Sequence, residues 1–308
     1  MRSTVIAALV ALLVAGAAWG REMTFVYVVT AAANTTGLAG TDWHTDLTMY
    51  NPQRDPLPVV LQFLRSGRDN GGGVPTVEIE LGAWETLNLW DVLGPNGFDA
   101  RGTTGALLVY ADDQRITCAG TSCDFVVFSR TYTLNPDGGA GEFGQGIPGF
   151  PANLGLDRSV LAYMPQLSDD GDFRTNVGLA SWTPEWVTVR FDLQDPAGEI
   201  ISSHDHRVPP YGHVQWRLEG SVTGGTVAAY INAGPADAVV YPYASVVNWV
   251  TGDAVNVEAH MSTVGFTLLS TSARSPRSFP ARLAVPSFSR ERLAQVPVSR
   301  SGQEEPPR

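Results

Sequence analysis

Four groups of residues in this chain have types and spacings that can do chemistry. Asp42, His44 and Asp46 alternate, so on an extended strand their side chains leave one face and can converge on a cation. His204 and His206 stand in the same relation around Asp205, with His213 a few residues on. Two imidazoles on one strand face hold zinc or copper only weakly, and local spacing supplies no third and fourth ligand. Asp169-Asp170-Gly171-Asp172 and Asn135-Pro136-Asp137-Gly138-Gly139 are acidic glycine turns of the sort that bind calcium, without the spaced ligand set of an EF-hand loop. Finally, Trp182 and Trp186 flank Thr-Pro-Glu and Trp249 stands beside a Thr-Gly-Asp turn; such rings stack on sugars or on a protein partner.

Each group has a plainer reading. The segment Asp172, Arg174, Asn176 copies the first group with arginine in place of histidine, and a guanidinium does not ligate, so a solvent-facing polar strand edge explains the alternation. Asp-Gly is ordinary turn chemistry. Among the eight tryptophans, Trp43, Trp84 and Trp216 are expected in a sandwich core, where a large aromatic is common. No G-x-S-x-G or H-E-x-x-H occurs, which removes the commonest hydrolase arrangements. Glu78 with Glu80 and Asp112 with Asp113 pair carboxylates on a strand face and a hairpin tip, whereas a glycosidase needs them opposed across a cleft. The chain has no lysine; all 20 basic residues are arginine, which excludes Schiff-base and P-loop chemistry. No catalytic residue, metal or cofactor is therefore expected, and ligand contact falls to Trp182, Trp186 and Trp249.

Charge and cysteine usage place the protein. An early arginine precedes VIAALVALLVAGAA (Val5 to Ala18), with small residues before Arg21, the plan of a secretory signal peptide. That run is too short to span a bilayer, and no later apolar run is long enough to do so. A buried N-terminal helix is the alternative. The formal charge is −11, unevenly spread: 12 arginines against 28 acids from Arg21 to Thr271, and seven arginines against three acids from Ser272 to Arg308. An acidic body does not suit nucleic acid. It suits an exported protein, periplasmic, cell-surface or extracellular, whose possible partner is an extracellular protein or a glycan. Cys118 and Cys123 are the only cysteines, and export makes a disulfide across a hairpin tip the natural expectation. A metal pair would need a second such pair nearby.

The elements that must position these groups are strands. FVYVVTAA from Phe25, VVLQFL from Val59, the alternating Thr76 to Leu81 and GALLVY from Gly105 are apolar or alternating runs bounded by turns. No window holds a helical period. Trp84 to Trp90 reads as a strand and Asp91-Val92-Leu93 as a helical turn. About seven strands in roughly 110 residues is the density of an immunoglobulin-like sandwich. The order then recurs: Phe173–Val177 matches Trp43–Leu47, Val187–Phe191 matches Val59–Phe63, Gly225–Tyr230 matches Gly105–Tyr110, and Val239–Ser245 matches the strand around Phe125 to Arg130. Between the copies, residues 135–158 hold seven glycines and three prolines without alternation, the composition of an interdomain seam.

The succession WHTDLTMYNP, EIELGAWETLNLWDVL, GALLVY, VFSRTY, GQGIPGFP, FRTNVGLASW and YASVVNWVTGD resembles a group of secreted bacterial proteins of uncharacterised function built from tandem immunoglobulin-like β-sandwich repeats. The resemblance covers about Phe25 to Asp253. It implies a fold and an exported location, and carries over no site residue. The expectation is all-β: a signal peptide (1–20), two tandem antiparallel sandwiches (21–134 and 159–271) across the seam, and an Arg/Pro/Ser-rich tail (272–308) too poor in apolar residues to fold alone. TVGFTLLS from Thr263 is expected to add a strand to the second sandwich. Function is expected to be non-enzymatic: binding, adhesion or structure at the cell surface or beyond, with carbohydrate binding through the turn-proximal tryptophans as the alternative and a hydrolase as a remote third.

Overall fold

The computed structural model describes residues 23–37, 40–112, 123–135 and 138–262. The expected signal peptide, Cys118, Asp113, Asp137, the TVGFTLLS strand and the tail lie outside the described residues. Among those described, the chain is all-β and antiparallel, with a short 3-10 turn at Ala152–Leu154. No described helix is long and apolar enough to cross a membrane.

The first half contains β1 (Val26–Thr36), β2 (Asp42–Tyr50), β3 (Leu57–Arg65), β4 (Thr76–Leu81), β5 (Thr86–Leu89), β6 (Thr103–Ala111), β7 (Val126–Leu134), β8 (Glu142–Pro148) and β9 (Phe150–Pro151). They form one hydrogen-bonded sheet that folds back on itself. The fold-back is made by β1. It pairs with β6 from Val26 to Asn34, with a register shift between Val29 and Ala32, and its last residues Thr35 and Thr36 cross to pair with Trp43 and Asp42 of β2. Two leaves result. Layer 1 runs β5-β2-β7-β8 and layer 2 runs β4-β3-β6-β1-β9.

In the second half, β10 (Leu161–Asp169), β11 (Phe173–Ser181), β12 (Val187–Gln194), β13 (Ile200–Val208), β14 (His213–Arg217), β15 (Val222–Ala233), β16 (Val240–Asn248), β17 (Ala254–Glu258) and β18 (His260–Ser262) make two sheets. Layer 3 runs β14-β11-β16-β17, and layer 4 runs β13-β12-β15-β10-β18. Adding nine to each strand number of layers 1 and 2 reproduces the order of layers 3 and 4. The segments matched above in sequence lie in β2 and β11, β3 and β12, β6 and β15, and β7 and β16.

Three apolar clusters hold four layers together. Leu47, Met49 and Val127 of layer 1 meet Val29, Leu61, Phe63 and Val109 of layer 2. Val177, Leu179 and Ala244 of layer 3 meet Met164, Val189, Phe191 and Val227 of layer 4. The third cluster joins the halves. Val26, Val28, Leu64, Ala106, Leu108 and Phe150 pack on Ala180 and Tyr241, so the outward face of layer 2 lies on the outward face of layer 3. Strand composition follows from this. Buried on both faces, β3 has eight consecutive buried residues, Leu57 to Leu64, and reads as a near-continuous apolar run. Its counterpart β12, with one face in water, alternates strictly as VTVRFDLQ.

Three expectations change. The segment 135–158 is not free of strands, because β8 and β9 lie inside it. Its glycines hid them: at Gly144 a Cβ would stand 2.4 Å from the Thr131 carbonyl oxygen, so close pairing with β7 removes the side chains that carry a period-two signal. The about seven strands expected up to Leu134 are present as β1 to β7, and β8 and β9 raise the first half to nine. Trp84 and Trp90 flank β5 instead of lying within it, and Trp84 is 57% exposed in a left-handed turn (φ 60°), not in the core.

This pairing sets where the chain can be divided. A fragment ending at Leu134 lacks β8 and β9, and with them the buried Ile147 and Phe150; by circular dichroism it is expected to show no cooperative melt. A fragment ending at Gly155 is expected to melt cooperatively, but to elute as oligomers because the Val26, Val28 and Leu108 face is bare. Cooperative melting of the shorter fragment would contradict the assignment of β8 to the first core.

Candidate binding face

Layer 1 has an outward face in water, and its composition is unusual because of β7. In VVFSRTYTL the small polar residues Ser129, Thr131 and Thr133 point inward and are buried, while Val126, Phe128, Arg130, Tyr132 and Leu134 point out. Alternation alone would favour the opposite register, which a one-residue slip would produce. The inward hydroxyls are satisfied: Ser129 donates to the Ile147 carbonyl at 2.9 Å, and the Thr131 and Thr45 hydroxyls lie 2.9 Å apart. Here β1 crosses from one leaf to the other and leaves room only for small side chains. Phe128 is therefore 45% exposed.

Around it the face is built from register neighbours. Thr48 of β2 lies between Phe128 and Asn88 of β5, and its hydroxyl donates to Asn88 Oδ1 at 2.7 Å. Asp46 opposes Arg130, and His44 opposes Tyr132. The outward positions of β8 are Glu142, Gly144, Gly146 and Pro148, so the strip beside β7 has a glycine floor. The Phe128 ring already lies over Gly146, where a Cβ would come 2.7 Å from Cζ. Trp84 and Trp90, 57% and 68% exposed, stand at the two ends of the edge strand β5.

The polar groups on this face are mutually bonded and mostly acidic. His44 sits between Asp42 at 3.3 Å and Asp91 at 3.2 Å. The Asn34 amide donates to both Asp91 oxygens, and the Asp91 N–H donates to Asp46 at 2.8 Å. Arg130 pairs with Glu142 at 2.5 Å and lies 4.8 Å over the Tyr132 ring. Burial holds the Asp46 carboxyl above its ordinary pKa, against the Asp91 N–H and Arg130, which pull it down. Burial likewise raises the Tyr132 phenol, helped by Asp46 and Glu142. Asp42, His44 and Asp46 thus share one face as expected, joined by Asp91, which sequence spacing could not bring in. Among the described residues no group of three or more His, Cys, Asp or Glu is placed to hold a metal ion.

The tryptophans expected to bind ligand are not brought together. Trp182 follows β11, edge-on to Tyr211 at 5.3 Å and packed on the cluster between the halves. Trp186, 46% exposed, lies under Arg207 at 4.7 Å. Trp249 sits by the other end of β11, its N–H bonded to the Asp172 carbonyl, with Arg174 and Arg217 over its ring at 5.4 and 5.3 Å. A nine-residue strand puts the two sites about 30 Å apart. Trp43 is half-buried, and Trp216 packs against the second core.

The remaining candidates have local partners. Asp169 is bonded by Arg217 at 2.5 and 3.1 Å and by the Thr175 N–H. Asp170 accepts from the Asp172 and Phe173 N–H groups and from Thr223, which together lower its pKa. Their carboxylates are held by their own turn together with Arg217 of β14 and Thr223 of β15. His204 lies 2.7 Å from Glu219, and His206 is stacked on Trp216 at 3.6 Å beside Phe191. These rings line a pocket of about 10 Å³, room for roughly one water; burial lowers the His206 pKa. His213 lies apart from them. It is buried between the halves, with Nδ1 3.0 Å from Ser66 Oγ and Nε2 2.8 Å from the Tyr243 hydroxyl.

No protein-family model matches the chain, and no curated protein matches it. Among solved structures, a calcium-binding mutant of Bacteroides uniformis beta-glucuronidase 2 is similar over 77% of this chain and 26% of its own length, at 11% identity and a TM-score of 0.17. The chain spans about a quarter of that protein's length, and a likeness this distant carries no argument.

His213 makes the structure acid-sensitive in a defined direction. Burial holds its pKa down to about 3, whereas the unfolded chain binds the proton near 6.5. Between these values the unfolded state carries the extra proton, so stability falls as pH falls, by up to about 1.4 kcal/mol per pH unit from this group. Urea titrations at pH 7 and pH 5 are expected to show that loss, and His213→Gln is expected to flatten it. An unchanged pH slope in the variant would refute the assignment.

Proposed function

We propose that this chain is an exported, non-enzymatic binding module of two tandem sandwich units related by duplication, and that the outward face of layer 1 is its binding surface. The observation that carries this reading is β7, which turns Phe128 and Tyr132 to solvent and buries its serine and threonines. Exposed apolar clusters of this kind on a polar-rimmed face mark interaction sites. Layer 4, by contrast, presents Arg190 bonded to Asp192 and Asp205, an ordinary solvated face.

The non-enzymatic part is supported by Ser66 and His213, a hydroxyl 3.0 Å from an imidazole that is buried between the halves. An imidazole held neutral down to about pH 3 is a poor general base, because an efficient one has a pKa near the working pH. A carbohydrate ligand is the second reading, favoured by the alternation of rings with hydroxyl and amide groups at Thr48 and Asn88. It is moved here from Trp182, Trp186 and Trp249, whose rings are covered by arginines or by Tyr211. Export is supported by the N-terminal sequence pattern.

The test is a glycan array run beside binding to purified envelope proteins, with Trp90→Ala and Phe128→Ser as face variants. Neither side chain is buried in a core, so both variants are expected to keep a cooperative melt and lose binding. Binding that survives both would remove this face as the site.

Export also underlies the proposed Cys118–Cys123 disulfide. Cys123 is buried beside the first core, and no described cysteine is free. Labelling with a thiol reagent in denaturant without reductant is expected to find no reactive thiol, and two would refute the bond.

A further inference from the structure

We infer that the outward row of β5 makes the ligand contact on this face, and that the ligand is an unbranched neutral polysaccharide lying along the strand against the indoles of Trp84 and Trp90. The inference rests on the reading of layer 1 as a binding surface and names the class of ligand that surface takes. Charge decides the class. The ionic groups of the face are already matched, His44 with Asp42 and Asp91, Asp91 with the Asn34 amide, and Arg130 with Glu142. What stays open along β5 is neutral. Thr86 and Asn88 are exposed, Trp90 continues their alternation, and Trp84 stands in the turn that enters the strand. Thr48 donates to Asn88 Oδ1 at 2.7 Å, which fixes that amide and leaves its N–H groups for an outside acceptor. Sugar rings suit such a row, because their C–H faces stack on indole and their hydroxyls exchange hydrogen bonds with neutral amides and hydroxyls. The rings of Trp182, Trp186 and Trp249 each have a tyrosine or arginine against them. Among the described residues no ring or guanidinium lies over Trp84 or Trp90, and both are more than half exposed.

Both indoles are held out at a backbone cost. Trp84 has φ 60°, and Asp91, next to Trp90, has φ 49°, a region that bulky residues rarely enter. Such strain persists only where the surroundings enforce it, and it gathers at ligand sites. The enforcing bonds are present at both ends of β5. Buried Asn51 donates its side-chain amide to the Leu81 and Gly82 carbonyls and its N–H to the Glu85 carbonyl, while the Glu85 carboxylate accepts from the Gly82 N–H and the Trp84 N–H donates to Gln53. At the other end the Asp91 N–H donates to Asp46 at 2.8 Å and the Val92 N–H to the Thr45 carbonyl at 2.7 Å. Extended chain between the tryptophans sets their Cα atoms at most about 20 Å apart. That span takes several sugar units in a row, so it selects a chain over a monosaccharide. A protein strand added at the open edge of β5 would find only four residues to pair with.

The test incubates the full mature chain with suspensions of cellulose, chitin and curdlan, beside alginate and purified envelope proteins. Retention on at least one of the three neutral polymers is expected, and it is expected to survive high salt because no charge pair is made. A soluble hexamer of that polymer is expected to compete at least about tenfold better than its dimer. Trp90→Ala and Trp84→Gly are each expected to weaken retention by about tenfold or more. Glycine is at ease at positive φ, so Trp84→Gly is expected to hold or raise the melting temperature while binding is lost. A tryptophan that serves the fold alone would give the opposite pair of results. No retention on any neutral polymer, or retention indifferent to both variants, overturns the inference. If alginate or an envelope protein is then bound through Phe128, as Phe128→Ser would report, the binding face stands with another class of ligand. If no binding depends on Phe128 either, the face falls with it.

Discussion

Val26, Val28, Leu108 and Phe150 close against Ala180 and Tyr241 between two sheets that are already covered on their other sides. Once that contact exists, the centres of layers 2 and 3 have no face left in water, while Glu78 and Glu80 of β4 and Gln215 and Arg217 of β14 stay exposed at their margins, and polar groups caught at the junction gain by finding a partner inside. The network from Ser66 through His213 and Tyr243 to Gln215 is a consequence, and so is the desolvation that keeps His213 uncharged. The Asn70 amide, which donates to the Tyr211 carbonyl across the same junction, answers the same demand. The contact also settles which faces remain available: one on layer 1 and one on layer 4.

Those two faces have met solvent differently. On layer 4 the outward residues of β12 are Thr188, Arg190, Asp192 and Gln194, a pattern that water alone accounts for. On layer 1 the outward residues of β7 include Phe128 and Tyr132, at positions where the paired half carries Tyr243 and Val247, both buried. The exposed face of layer 1 thus has the makeup of a face that elsewhere in the same molecule is covered. That likeness accords with the binding role proposed there from Phe128 and Tyr132.

Much of the fold was legible in order and composition. The matched segments fall in strands of equal rank in the two halves, and the apolar-in alternation of Thr76 to Leu81 and of β12 reads directly from the residues. What escaped was of three kinds. β8 escaped because Gly144 and Gly146 have no side chains to alternate. Trp84 was taken for core because a bulky aromatic in a left-handed turn runs against local preference. The apolar outward face of layer 1 escaped because β7 alternates in the reverse sense. A signal was nonetheless present: β3 is apolar on both sides where its counterpart β12 is polar on one, which marks layer 2 as interior.

The sequence by itself determined the all-β class, the recurrence of one succession of segments along the chain, and the acidic body with its basic terminal segment. Each of these depends on local periodicity and on charge, which are properties of the chain before it folds. Only the tertiary structure decided that the halves stack as four layers, that Asp91 joins Asp42, His44 and Asp46, and that Trp182, Trp186 and Trp249 stand apart under their own partners. Those outcomes depend on which face of a strand meets another sheet. A period of two says that a strand has two faces, and long-range packing alone chooses which of them is covered.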